Sequence, residues 1–251
     1  MEMTDNTILV TGGTSGIGRA LAEALHDRGN RVIVTGRRHA LLDAIAADRP
    51  DIVALPLDLD DSRGPARLAC DIRIAFPELN VVIANAGISR AEDMAVDGWS
   101  AADAEAILQT NVLGVLRTAA AFLPILKAQP RSTFMATGSA LAFLPRADFP
   151  SYCAAKAFLH SWLVSLRHQL RETPVEVLEL SPPYVRTELT GVAQATDPRA
   201  MPLADYVGEV MAMLETRNHP RGELLLERDH PRRFAERDGT YDSLFAAMNP
   251  D

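Results

Sequence analysis

The sequence predicts an α/β chain: a doubly wound parallel sheet of about seven strands with helices on both faces, in a single domain spanning 1–251. Three observations predict it. Short β-branched runs alternate with longer stretches of helical spacing over the first 180 residues. Most of those runs have near-continuous apolar cores, as strands covered on both faces require. No low-complexity linker and no repeat of fixed period interrupts the order, and strand–helix–strand repetition of this kind specifies right-handed crossovers.

Taken in order, strands are expected at 7–11, 31–35, 52–57, 80–84, 132–137 and 175–180. The cores ILV, VIV and VVI are continuous, whereas VEVLEL is mixed. Stretches of roughly 15–30 residues with helical spacing lie between them, as at Leu21, Ala24, Leu25 and Arg28 in the first. A helix is expected over 103–126, its apolar run within 113–126 interrupted by Gly114, Arg117 and Pro124. Another, over 151–171, follows Pro150 with Ser151 as N-cap. The C-terminal third reads as a helix near 204–215, a last strand near 222–227 and a charged tail over 228–251.

With 47% hydrophobic and 23% charged residues, the composition excludes a disordered or fibrous chain. A formal charge of −8 argues against non-specific nucleic-acid binding, which needs a basic face. Cys70 and Cys153 make no disulfide framework. The N-terminus lacks the order of a signal peptide, and no apolar stretch approaches the roughly 18–20 residues that span a bilayer. The expectation is a cytoplasmic protein with no membrane partner. The six histidines form no metal-ligand cluster; His160 and His168 lie two helical turns apart without a partner. Arg232 and Arg233 read as a solvated basic pair, and Cys153 as a small packing residue.

The first strand runs into Gly12, Gly13, Thr14, Ser15, Gly16, Ile17 and Gly18, then into a helix. Glycines let the backbone turn tightly beside a pyrophosphate, and a helix N-terminus offers free N–H groups with partial positive charge. In that strand–turn–helix setting the cluster is a dinucleotide signal. The second strand ends in Gly36, Arg37 and Arg38 with no carboxylate at its tip. Guanidinium forks match a ribose 2′-phosphate, so the cofactor expectation is NADP(H) over NAD(H); the competing reading is of solvated helix-entry arginines. Asp58 and Leu59 follow the third strand, where Asp58 either accepts from the adenine amine or stands as a surface carboxylate. Asn85, Ala86 and Gly87 close the fourth strand at the carboxyl end of the sheet, where ligands bind in such folds.

Tyr152 and Lys156 share a helix face at i and i+4. A phenol with pKa about 10 is a poor proton donor or acceptor at neutral pH, and a fixed ammonium beside it favours phenolate. Such a pair arises by chance in many helices. Ser139, thirteen residues upstream at the end of the fifth strand, adds a hydroxyl for a carbonyl oxygen gaining negative charge.

The glycine loop, Asn85-Ala86-Gly87, Asn111, Ser139, Tyr152 and Lys156 together resemble the short-chain dehydrogenase/reductase family, in its branch of about 250 residues. The likeness runs from about residue 6 to 190 and implies a Rossmann-type sheet. It implies that Tyr152 exchanges a proton with the substrate oxygen and that Lys156 holds the nicotinamide ribose and depresses the tyrosine pKa. Ser139 would orient the substrate, and Asn111 would tie a water to the lysine. Val185 and Thr187 match positions that hold the carboxamide and phosphate in relatives. Two departures stand out: Pro182-Pro183 replaces the usual Pro-Gly, stiffening that wall, and Ala84 replaces an Asn. The Gly-Arg-Arg strand end and the closing segment 234–239 resemble bacterial oxidoreductases of the type encoded beside D-alanylation operons.

The expected partner is a small carbonyl or alcohol. Its specificity is expected from 141–150 and from a lid at 188–205, with Phe143, Leu144, Phe149, Leu189, Val192 and Met201 as apolar lining and Arg146 or Arg186 open to an anionic group. A ketone, a sugar, a steroid-like alcohol and an acyl-carrier thioester all remain open. The resemblance further implies a homodimer or homotetramer through helices 103–126 and 151–171. Two other readings compete. A dinucleotide sensor would not require Ser139, Tyr152 and Lys156, and a lyase or epimerase on this fold is usually longer.

Overall fold

A computed structural model describes residues 1–250. Strands β1 (Thr7–Thr11), β2 (Arg31–Gly36), β3 (Val53–Pro56), β4 (Leu79–Ala84), β5 (Ser132–Thr137), β6 (Val175–Leu180) and β7 (Glu223–Leu224) form one sheet. Their order is β3-β2-β1-β4-β5-β6-β7, and every neighbouring pair is parallel. The chain winds outward from β1 to β3 and then crosses back to β4. The order therefore reverses between β1 and β4, and a crevice opens beyond their carboxyl ends.

Successive strand side chains face opposite ways, so each strand feeds two cores. One core joins Ile8, Val10 and Val34 to Leu21 and Leu25 of α1 (Gly16–His26) and Ile45 of α2 (His39–Asp48). Tyr206 and Val210 of α8 (Leu203–Thr216) complete it. The other core joins Leu9, Ile33 and Phe134 to Ile72 of α3 (Gly64–Ala75), Phe122 of α5 (Gly114–Lys127) and Leu163 of α6 (Pro150–Gln169). Burying one such side chain contributes ~1.5–3 kcal/mol.

Several elements differ from the sequence expectation. The helix expected over 103–126 runs as α4 (Ala102–Ile107) and α5, joined by an unexpected π-helical turn (Leu108–Leu113). Gly114 lets the helix press on Leu59, which a Cβ there would approach to 3.2 Å. The continuous 26-residue helix is by length and composition apolar enough to cross a membrane, contrary to the expectation that no stretch is. Half of its most apolar window is buried in the fold. Helix α6 begins at Pro150 itself, which has no N–H to lose, so Ser151 is not its cap. The tail is also structured, carrying α9 (His230–Arg233) and α10 (Tyr241–Met248).

Asn85 ties the strand ends together. Its amide N–H group donates to the carbonyls of Thr11 and Gly12, both at 3.3 Å, and its Oδ1 accepts from the Thr137 hydroxyl at 3.1 Å. Replacing Asn85 by Ala strips these acceptors and donors of their partner and is expected to cost about 1–3 kcal/mol. The check is urea denaturation, with a lower midpoint at unchanged slope.

Candidate active site

Beyond β1 and β4 lies a cavity of about 890 Å³, at the upper end of the roughly 300–1,000 Å³ typical of small-molecule and cofactor sites. Its lining contains every residue expected to touch a dinucleotide except Gly18, and every expected catalytic residue except Asn111. Gly18 faces the Asn85 side chain behind the loop instead.

The glycine turn is shaped by close approach. Gly12 has φ +65°, and a Cβ there would stand 2.7 Å from the Ala86 Cα. Gly16, at φ +55°, keeps open the gap to Thr187 across the cavity, which a Cβ would narrow to 3.5 Å. Ser15 occupies the N-cap position of α1 without capping it. Its hydroxyl accepts from Arg38 Nη2 at 2.8 Å, so no cap side chain competes for the first-turn N–H groups. An open glycine cradle with a helix N-terminus and an arginine beside it fits a dinucleotide phosphate.

At the adenosine end Arg37 donates to Asp60 Oδ2 at 2.7 Å and lies 3.8 Å from Asp58 Oδ1. Asp60 also accepts from the Thr110 hydroxyl at 2.9 Å, which links this corner to the π turn. Nothing in the spacing of Asp60 distinguishes it from a surface acid, and the sequence reading missed it.

At the other end Tyr152, Lys156 and Ser139 share one wall of the cavity, all of them buried. Lys156 Nζ donates to the Thr137 carbonyl at 2.6 Å and stands 5.6 Å from the centre of the Tyr152 ring. Burial pushes the lysine down to about 8, with the Glu179 carboxylate working against that shift. Burial also pushes the Tyr152 phenol up to about 12, although the neighbouring Ser139 hydroxyl pulls the other way. The expected depression of the tyrosine by the lysine is therefore reversed: desolvation outweighs an ammonium that bonds a carbonyl rather than the phenol. Ser139 Oγ accepts from the Leu141 N–H at 3.1 Å.

Asn111 sits in the π turn, fully buried. Its side chain accepts from the Ile88 N–H and donates to the Ile88 carbonyl, each at 2.8 Å, and thus pins the chain beyond Gly87. A Cβ on Gly87 would lie 3.2 Å from Asn111 Oδ1 and 3.8 Å from Lys156 Nζ, so that glycine separates the two polar groups. Pro182 offers its carbonyl to the Ala140 N–H at 3.0 Å, and the Val185 carbonyl accepts from Gln194 at 2.8 Å.

Several expectations for the substrate side are corrected. Of the six apolar residues expected as lining, only Leu189 lines the cavity. Leu144 and Met201 are buried in the fold, Val192 projects into solvent, and Phe143 packs edge-on against His160 at 4.9 Å. Arg146 is held by Asp148 at 2.8 Å, and Arg186 donates to the Asp197 carbonyl at 3.3 Å. His160 has Nδ1 2.8 Å from Oε2 of the fully buried Glu179. Arg233 is no solvated residue: it makes a two-pronged bond to Glu223 at 2.9 and 3.0 Å. Glu179, in the mixed strand VEVLEL, was the available signal for the His160 contact. Among the described residues no group of three His, Cys, Asp or Glu side chains could hold a metal ion.

A nucleotide-shaped crevice at the reversal of a parallel sheet, with serine, tyrosine and lysine on its wall, defines a Rossmann-type oxidoreductase. Residues 6–198 match the short chain dehydrogenase family. The chain belongs to that family, in its short branch. Within it, the uncharacterized oxidoreductase DltE of Bacillus subtilis (strain 168) is 37% identical over 99% of this chain and 98% of its own length. An uncharacterized oxidoreductase of Myxococcus xanthus is 36% identical over 82% of each. The fold is shared with a short-chain dehydrogenase/reductase from Burkholderia phymatum in complex with NAD, at TM-score 0.82 and 21% identity over 100% of this chain and 98% of that one. It is shared equally with a short-chain dehydrogenase from Burkholderia cenocepacia in complex with NADP, at TM-score 0.82 and 23% identity over the whole of both chains.

Removing the buried ammonium has a predictable sign. Wild-type folding carries the desolvation of a charged Lys156 at pH values below about 8, and that burden fades as pH rises toward the unfolded value near 10.5. Lys156→Met is expected to raise stability by about 1–3 kcal/mol at pH 7, with the gain shrinking between pH 8 and 10.5. Thermal melts of both proteins across that range test it.

Proposed function

We propose that this chain is an NADP(H)-dependent oxidoreductase acting on a small carbonyl or secondary alcohol, with Tyr152 as the acid–base group. The observation that carries the proposal is the meeting of Tyr152, Ser139 and Lys156 on one wall of a cavity whose opposite end is the glycine turn. A bound nicotinamide dinucleotide supplies or takes up the hydride. The protein's own groups manage the oxygen. Ser139 donates its hydroxyl hydrogen to the substrate oxygen, and Tyr152 delivers the proton when that oxygen becomes an alcohol. Burial holds the Tyr152 phenol above its ordinary value, so it stands protonated at neutral pH as the donor to a carbonyl oxygen. Lys156 carries positive charge toward the developing oxyanion and the ribose, while Asn111 fixes the Ile88 backbone that bounds the site.

The arginine pair supports NADP(H). Arg38 already lies against Ser15 in the glycine turn, and Arg37 can exchange the Asp60 carboxylate for a phosphate. Of the residues lining the cavity, Asp58 and Leu59 would hold the adenine, Asn85 to Gly87 the dinucleotide backbone, and Pro182, Val185 and Thr187 the nicotinamide end. Segment 188–205 serves as the closing wall over the substrate. The long helix through α4 and α5 leaves Leu108 and Leu113 exposed, and α6 leaves Phe158 and Val164 exposed. These faces support a homodimer or homotetramer. Two free cysteines suit a reducing cytoplasm.

Tyr152→Phe is expected to lower turnover of ketones and aldehydes at least a hundredfold while NADPH still binds, and Ser139→Ala to lower it about tenfold or more. NADPH consumption at 340 nm reads both. Unchanged turnover in Tyr152→Phe refutes the assignment. Arg37→Ala is expected to weaken NADPH about tenfold or more and NADH less than threefold, read by fluorescence titration; equal small effects refute the phosphate role.

A further inference from the structure

Helix α6 carries Tyr152 in its first turn, and that turn has an unusual supply of caps. Phe149, at the N-cap position, has no side-chain acceptor, and Pro150 has no N–H. The first N–H needing a partner is that of Ser151, directly before Tyr152. It is satisfied from elsewhere in the chain. Oε2 of Glu92 accepts the Ser151 N–H at 3.0 Å, and Oε1 accepts the Ser151 hydroxyl at 2.9 Å. The Glu92 N–H in turn donates to the Asp148 carbonyl at 3.0 Å. Glu92 is buried, and the segment that bears it is pinned by Asn111 at Ile88. A strap from Gly87 to Glu92 therefore joins the π turn at one end to the start of α6 at the other.

We infer that Glu92 is a positioning residue for Tyr152: its two-pronged clamp on Ser151 fixes the first turn of α6 and so the placement of the phenol against Ser139 and Lys156. The physical case is the tolerance of the chemistry. Frayed first turns are the ordinary fate of uncapped helices, and a shift of about 1 Å in a reacting group can lower rate about a hundredfold. Three other features hold the same turn only loosely. Cys153 N–H bonds the Phe149 carbonyl at 3.0 Å, Cys153 Sγ reaches the Arg146 carbonyl at 3.8 Å, and Arg146 bonds Asp148. All three lie within residues 146–153, whereas Glu92 ties the turn to another part of the fold, as the Lys156 bond to Thr137 does one turn later.

The clamp depends on two acceptors facing one donor pair, and this separates it from a requirement for negative charge. In Glu92→Gln the amide oxygen still accepts the Ser151 N–H. The amide nitrogen donates to the Ser151 hydroxyl, which turns from donor to acceptor. In Glu92→Ala both bonds go.

This inference rests on Tyr152 being the proton donor, so Tyr152→Phe is measured alongside. Three readouts are taken: NADPH-dependent kcat and KM on the best carbonyl substrate of a ketone and aldehyde panel, NADPH affinity, and amide hydrogen exchange over residues 149–156 in the full-length protein. Glu92→Ala is expected to lower kcat about tenfold or more, with KM and NADPH affinity within threefold, and to speed exchange over 149–156. Glu92→Gln is expected to bring all three back to within threefold of wild type. Ser151→Ala, which loses only the hydroxyl bond, is expected to fall between them, and it decides the question if Glu92→Ala fails to fold. Wild-type kcat and exchange in Glu92→Ala, or in Ser151→Ala where it alone folds, overturn the clamp; so does a Glu92→Gln protein as impaired as Glu92→Ala. Full turnover in Tyr152→Phe sinks the tyrosine assignment instead, while the exchange data still judge the clamp.

Discussion

The ammonium of Lys156, buried at the carboxyl end of the sheet, is the constraint around which the site is arranged. A charge taken out of water needs a hydrogen-bond partner, and the Thr137 carbonyl at 2.6 Å provides one from the last residue of β5. That bond sets α6 against β5, and two consequences follow. Tyr152, one helical turn earlier, is placed on the same wall; Ser139, two residues beyond Thr137, is placed beside it. The Thr137 hydroxyl is also bonded to Asn85, which holds the carbonyls of Thr11 and Gly12. One chain of contacts thus runs from the glycine turn to the wall that bears Ser139, Tyr152 and Lys156.

A second buried charge lies behind this wall. Glu179 is fully buried on β6, bonded to His160 and 3.4 Å from the Ser181 hydroxyl. It explains why residue 138 is glycine, since a Cβ there would come within 2.6 Å of Glu179 Oε1. His160 then meets Phe143, whose ring lies 4.8 Å from the Arg233 guanidinium, and Arg233 bonds Glu223 on β7. Buried ion pairs contribute little net stability, but breaking one partner commonly costs about 3–5 kcal/mol. The network therefore acts less as reinforcement than as a fixed spacing between α6, the sheet and the C-terminal tail.

The elements easiest to read in the sequence were those with one dominant physical cause. Continuous apolar triplets marked strands covered on both faces, and the glycine turn marked a close approach that the structure realises at Gly12. Boundaries were harder. Residues 52–57 shortened to Val53–Pro56, and 222–227 shrank to Glu223–Leu224, because edge strands are cut by their neighbours rather than by their own composition. Gly114 and Pro124 sit inside a helix despite their low propensity, because packing of α5 on α3 and the sheet overrides it. At the site, the residues in local motifs were legible, and their partners were not. Asp60, Glu92, Glu179 and Asn249 act across long sequence separations. Asn249, for example, reaches back from the chain's end to the Ala147 N–H at 2.6 Å. The pKa of Tyr152 was misread for a related reason: helical spacing shows the nearby ammonium but not the desolvation, which is the larger effect.

The cofactor's adenosine end shows where fold stops deciding and local charge takes over. Two solved neighbours with the same TM-score of 0.82 are in complex with NAD in one case and NADP in the other. The sheet, its order and the position of the crevice therefore do not discriminate a 2′-hydroxyl from a 2′-phosphate. What remains is the tip of β2 and the loop after β3, where two guanidinium groups face two carboxylates. Asp60 satisfies Arg37 while being held by Thr110, so a phosphate must compete with an acceptor that is already oriented. Arg38 faces no such rival, because its partner is the neutral Ser15 hydroxyl at the glycine turn. A dianionic group gains two charge-assisted bonds from this corner and meets repulsion from Asp58 and Asp60, both of which are exposed enough for water to screen them. The proposed preference for a phosphate therefore rests on Arg38 first, whose partner is a neutral hydroxyl, and on Arg37 second, whose partner is a carboxylate.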